Sequence, residues 1–150
     1  MTDTSQQYCT FYVDGVHFGI EVLQVQEVLR YQDMTQVPLA PSEIQGLINL
    51  RGQIVTAFDL RTRLAMPDRE DGRRPMNVVI RAEDGAVSLL VDEIGDVIET
   101  RGDDFEPPPA TLDEATRSLL QGVYKMDGRL LLILDCDKTL ALIDDGSAVS

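Results

Sequence analysis

Tryptophan is absent from this chain of 150 residues, aromatics make up 5% of it, and there is one histidine, His17. A nucleophile–base pair of the Ser-His or Cys-His kind would have to use that single imidazole. It stands in an alternating stretch through Val16, Phe18 and Ile20 with no Gly-x-Ser-x-Gly motif nearby, and so reads as a strand histidine. Cys9 and Cys136 are far apart and follow no secretory leader. They read as small buried or half-buried side chains and not as a disulfide. This set makes no zinc site, and no calcium-loop pattern occurs. Asp92-Glu93 and Asp103-Asp104 read as solvated loop charges. Neither a Gly-x-Gly-x-x-Gly nor a Walker pattern is present, which leaves nucleotide binding unsupported. No apolar run nears the ~20 residues of a membrane helix. The expectation is a cytoplasmic protein with no catalytic residue, metal or cofactor. Basic residues are also scarce, 13 against 26 acidic, for a net charge of −13. That balance argues against nucleic acid and anionic membranes as partners. Arg69 to Arg74 is the densest basic cluster, and Glu70 and Asp71 interrupt it.

What is present is β patterning. Tyr8 to Val13 and Val16 to Ile20 flank Asp14-Gly15, a pair that tolerates the positive φ of a tight hairpin. The arrangement recurs around Asp84-Gly85, between 78–83 and 86–91, and around Asp127-Gly128, between Leu120–Met126 and Arg129–Leu134. A fourth hairpin, Leu47–Leu50 and Gln53–Phe58, turns on the less usual Arg51-Gly52. Helical spacing of Val22, Val25 and Leu29 predicts a helix over Glu21 to Arg30. Shorter helical stretches are expected at Leu60–Leu64, Thr111–Arg117 and Asp135–Ile143. Met66–Pro75 and the acidic, proline-ended Arg101–Pro109 read as loops, residues 1–7 as a flexible N-terminus and 144–150 as a frayed tail.

The halves also resemble each other. Ile44 to Leu64 reads IQGLINLRGQIVTAFDLRTRL, and Leu120 to Leu140 reads LQGVYKMDGRLLLILDCDKTL. Gln45 and Gln121, Gly46 and Gly122, Gly52 and Gly128 all stand 76 apart. Matching the Asp-Gly turns 14 and 84 aligns the hairpins that precede them at an offset of 70. Duplication of one small β unit follows, with hairpin motifs at 8–64 and 78–140 within a single domain 8–143. Two such units packed together would leave a seam where grooves form.

Four ordered stretches resemble the CheW family of adaptors. They are Ile20-Glu21-Val22-x-x-Val25-x-Glu27-Val28; Gly46 to Val55 with Asp59-Leu60-Arg61; Val91 to Ile98; and Gly122 with Leu130 to Asp135. The resemblance runs from about Tyr8 to Ile143. It implies a mainly β fold of two five-stranded barrels, similar to Src-homology-3 barrels, with short helices. It also implies a non-catalytic scaffold that joins the regulatory domain of the histidine kinase CheA to the helical cytoplasmic tip of methyl-accepting chemoreceptors. Carried over by position, Val25, Glu27, Val28, Gly46 and Arg51 match partner-binding positions, and Val78, Ile94 and Ile98 match apolar positions near the receptor groove. Arg51 stands where its repeat copy has Asp127, a better turn former, which favours a docking role for the guanidinium. Gly46 recurs as Gly122, which points to a backbone need. Ala57-Phe58 departs from the family's proline and smaller aliphatic residue. A related adaptor of surface motility or development, a fragment of a larger kinase, and a small β-barrel enzyme using His17 are the alternatives. The Met1 start and the polar end favour a complete short adaptor.

Overall fold

The computed structural model describes residues 5–70, 72–82 and 85–141. Among the described residues eleven strands form two sheets. The strands are β1 Ser5–Val13, β2 Val16–Glu21, β3 Val25–Leu29, β4 Ile44–Leu50, β5 Gln53–Asp59, β6 Met76–Ala82, β7 Gly85–Val91, β8 Glu93–Arg101, β9 Phe105–Glu106, β10 Leu120–Met126 and β11 Arg129–Leu134. Two short helices are α1 Leu60–Arg63 and α2 Glu114–Arg117, and residues 136–141 are helical. Asp59 and Asp113 start α1 and α2, each accepting a hydrogen bond from a backbone N–H of its own first turn. The mainly β expectation holds, with one sheet of six strands where five were expected.

The first sheet runs β8-β1-β2-β11-β10-β9 and the second β3-β6-β7-β5-β4. Each therefore draws strands from both halves of the sequence. The hairpin β1–β2 sits with the later strands of the second half, and the hairpin β6–β7 with those of the first. Parallel pairs β2–β11 and β5–β7 and antiparallel pairs β1–β8 and β3–β6 make the joins, so each hairpin is held on both sides. The motif halves 8–64 and 78–140 are units of sequence, not separate sheets. Both sheets curl. In the first, only Gly102–Asp104 separates β8 from β9. Five spacings of about 4.8 Å would part these edges by roughly 24 Å in a flat sheet. Four extended residue steps reach only about 14 Å.

The register corrects the offset of the hairpins. Ala82 pairs with Gly85 where Val13 pairs with Val16, so the offset is 69 and not 70. Phe11 then corresponds to the core residue Ile80, whereas an offset of 70 would set it on Arg81. A one-residue slip turns every side chain to the other face. Asp84 of the expected turn lies outside the described residues. The same offset carries β3 onto β8: Val25 matches Ile94, Glu27 matches Asp96, and Val28 matches Val97. Between β8 and β10 the second copy is longer by 76 − 69 = 7 residues.

The helix expected over Glu21 to Arg30 is a 3-10 turn, Val22–Gln24, followed by β3. A bulge between Val25 and Glu27 explains the misleading spacing. It sets Val25 and Val28 on one face three residues apart, which imitates a helical stripe. Within the expected loop 101–109, Phe105–Glu106 pairs with β10. The expected flexible N-terminus is a strand over Ser5–Gln7, paired with Arg101, Thr100 and Glu99 of β8. Ile143 and residues 1–4 and 144–150 lie outside the described residues.

Three apolar clusters form among the described residues. The largest lies between the sheets and includes Phe11, Phe18, Phe58, Val78, Ile80 and Leu132. The second sheet encloses Ile48, Val55 and Ala57, and the first encloses Tyr124, Leu131 and Ile133, the residues 76 further on. The Ala57-Phe58 departure thus places both residues in the interior, fully buried. Gly46 and Gly122 repeat for a common reason. A Cβ at Gly46 would lie 2.7 Å from the Thr35 carbonyl oxygen, and one at Gly122 would lie 2.5 Å from that of Glu106. Thr35 bridges to Leu47 as Glu106 pairs with Val123, so a crossing segment lies against the glycine in both copies.

Gly46→Ala and Gly122→Ala are each expected to lower unfolding free energy by about 1–3 kcal/mol through overpacking, measured by urea titration. His17 is 4% exposed and stacks on Tyr12 at 4.6 Å, and neither ring nitrogen has a hydrogen-bond partner among the described residues. Burial, and then nearby Arg129, hold its pKa below 6.5. As pH falls through that value the unfolded chain takes up a proton that the folded chain refuses. Stability is therefore full above it and declines below. Urea midpoints at about pH 7.5 and about pH 5.5 should differ more for the wild type than for His17→Gln.

Candidate docking surfaces

Arg51 and Glu27 come together. Arg51 occupies the β4–β5 turn with φ 52° and Gly52 follows with φ 89°, so both turn positions are left-handed. That conformation favours Asn, Asp or Gly and strains an arginine. Asn49 Oδ1 steadies the turn by accepting from Gly52 N–H at 2.9 Å. The Arg51 guanidinium bonds the Glu27 carboxylate on β3, the strand at the opposite edge of the same sheet. The pair therefore spans the mouth of the curled second sheet. Arg51 is 74% exposed at its side chain, and its hydrogen bond to Glu27 raises its pKa further above its usual value. In the second copy the matching positions are Asp96 and Asp127, both acidic, so the pair has no counterpart there.

Around the pair, Val28 is 38% exposed on β3, and Ile54 is 60% exposed at the start of β5. Val25 is half-buried and packs on the core between the sheets. Gly46 is buried and acts through the backbone. Val78 is corrected from a contact to a core residue. It is 1% exposed and pairs with Val28, so a partner cannot reach it. Loss of its methyl groups would act through packing.

The second surface lies where β2 leaves the first sheet. A cavity of about 470 Å³ is lined by Ser5 to Gln7, Glu21 to Leu23, and Glu99. Leu23 is 88% exposed in the 3-10 turn. On β8, Ile94 is half-buried against the core, while Ile98 pairs with Tyr8 and faces the interior of the first sheet. Regular alternation would put Ile94 and Ile98 on one face. A register shift between Cys9 and Phe11, opposite Gly95-Asp96, separates them. Gly95 is required there, because a Cβ would meet Thr10 Oγ1 at 2.5 Å. Val97, 60% exposed, shares the Ile94 face. Leu23 and Val97 were missed as candidate contacts. The signal for Val97 was present, since Val22-x-x-Val25-x-Glu27-Val28 aligns at offset 69 with Val91-x-x-Ile94-x-Asp96-Val97.

Among the described residues no cluster of three or more His, Cys, Asp or Glu residues is arranged to hold a metal, and no helix is long and apolar enough to cross a membrane. Cys136 is buried beside Asp135, and its thiol pKa is pushed up to about 12, far from a reactive thiolate.

The model of the CheW-like domain matches residues 7–144. The chain belongs to the CheW-like family. It is 33% identical to the chemotaxis protein CheW of Bacillus subtilis over 97% of its own length and 94% of that protein's. It is 28% identical to CheW of Rhizobium meliloti, covering 91% and 88% of the two chains. The crystal structure of the scaffolding protein TtCheW from Thermoanaerobacter tengcongensis superposes with a TM-score of 0.77 at 26% identity, over 87% of this chain and 88% of that one. The two curled sheets are thus the architecture of a CheW scaffold.

Arg51→Asn is expected to keep or raise thermal stability, because asparagine suits the left-handed turn. A melting temperature lowered by many degrees would show instead that the Glu27 pair outweighs the turn strain.

Proposed function

We propose that this protein is a non-catalytic scaffold that couples methyl-accepting chemoreceptors to the histidine kinase CheA. The observation that carries the reading is Arg51. A strained, exposed arginine is held by Glu27 across the mouth of one sheet, and the duplicate sheet has no such pair. Turn strain at a solvent-facing guanidinium serves no packing purpose, and its planar donors suit carboxylates or carbonyls on a protein partner. Relatives named chemotaxis proteins and a solved relative titled a scaffolding protein support the same reading. In this reading the second sheet's rim, with Arg51, Glu27, Val28 and Ile54, receives the kinase regulatory domain. The cavity beside Leu23, with Ile94 and Val97 on β8, receives the receptor tip. That tip is a helical bundle, so apolar anchors would enter the groove, and Glu21 and Glu99 would form a charged rim.

The test is capture of purified partners: the kinase regulatory domain and a receptor-tip fragment. The wild type should retain each. Arg51→Asn should weaken retention of the kinase domain by about tenfold or more, as truncation of an interface anchor does. Failure of the wild type to retain either partner would reject the proposal.

A further inference from the structure

Among the described residues the chain passes between the two sheets twice, through Val22–Gln24 and at Asp92. Asp92, expected as a solvated loop charge, has a side chain only 13% exposed. Arg61 grips it as a fork, with Nε donating to Oδ1 at 2.9 Å and Nη2 to Oδ2 at 2.7 Å. Arg69 Nε lies 3.0 Å from Oδ1. The backbone N–H of Asp14, in the β1–β2 turn, donates to Oδ2 at 2.6 Å. Asp92's own N–H donates to the Tyr12 carbonyl at 2.9 Å. Arg61 is tied in turn to the Pro67 carbonyl at 2.6 Å, and Arg69 to Asp59 at 3.2 Å. Burial alone would raise the carboxyl's pKa. The Arg61 and Asp14 hydrogen bonds outweigh burial and hold it below its ordinary value.

Asp14 and Tyr12 belong to the first sheet's leading hairpin, while Arg61, Arg69 and Asp59 follow β5 of the second. One carboxylate thus joins the two bodies at the point where the chain crosses. The cleft above it, about 310 Å³, has four carboxylates and four arginines in its wall. It offers no surplus charge to a free ion, so the cluster acts as a clamp. Two residues on lies Ile94, then Val97.

We propose that Asp92, held by Arg61 and Arg69, is a positioning residue. It fixes the angle between the sheets and so the place of β8 in the receptor-facing groove. This rests on the scaffold reading for its partner, but the geometry is testable without one.

Spin labels at Ile54 and Val97, each 60% exposed and one on each sheet, report the angle in the full chain carrying Cys9→Ser, with Cys136 left buried. The parent should give a narrow distance distribution and Asp92→Asn a broadened or shifted one. In the unlabelled chain, Asp92→Asn should weaken receptor-tip binding by about tenfold and change kinase-domain binding by less than about twofold, within the usual range of coupling between sites. If Asp92→Asn does not fold, Arg69→Gln, which leaves the Arg61 fork intact, replaces it. An unchanged distance distribution, or equal loss of both partners in a folded variant, would overturn the proposal. Failure of the parent to bind either partner would strike the scaffold reading and leave the distance result to decide the clamp.

Discussion

Four strand pairings, β1 with β8 and β2 with β11 in the first sheet, β3 with β6 and β5 with β7 in the second, hold the molecule together. Each joins a hairpin from one half of the sequence to the later strands of the other. Neither half can complete a sheet from its own strands, because the edges it leaves are filled only by the exchanged hairpin. The core between the sheets follows from this exchange: Phe11 and Phe18 come from the first hairpin, Ile80 and Leu89 from the second, and Phe58 and Leu132 from the joining strands. A cluster assembled from both halves favours the single cooperative transition usual for small domains. In the proposed function both docking surfaces would then stand on one such frame.

Duplication then departs from symmetry at informative places. The glycines at 46 and 122 are retained because a crossing segment presses on each. Three residues of the enclosed clusters, Ile48, Val55 and Ala57, have their counterparts in Tyr124, Leu131 and Ile133 at an offset of 76. Arg51 and Glu27, by contrast, have acidic counterparts at Asp127 and Asp96. Positions that serve packing were kept in both copies. The ion pair at the rim exists in one, where it closes the mouth of a sheet and leaves a guanidinium facing solvent.

Much of this was legible in the chain. Tight-turn residues marked the hairpins, and the repeat of Ile44–Leu64 in Leu120–Leu140 announced the duplication. What was misread has physical reasons. A bulge after Val25 breaks strand alternation, so β3 read as a helix, and a register shift beside Gly95 sets Val97 rather than Ile98 on the Ile94 face. The exchange of hairpins could not be read at all, because pairing between distant strands leaves no local signature. Val78 and Asp92 were misjudged on burial, which depends on what packs above a residue: a second sheet in one case and two arginines in the other.

The central claim is that separate faces of one rigid frame hold the two partners. Backbone hydrogen exchange of the whole chain, recorded alone and then with each purified partner, tests it most directly. The account predicts slowed exchange in β3 and the β4–β5 turn with the kinase domain, and in the Val22–Gln24 turn and β8 with the receptor tip, both persisting when the partners are present together. Protection of one shared segment by both partners, with one displacing the other, would contradict it.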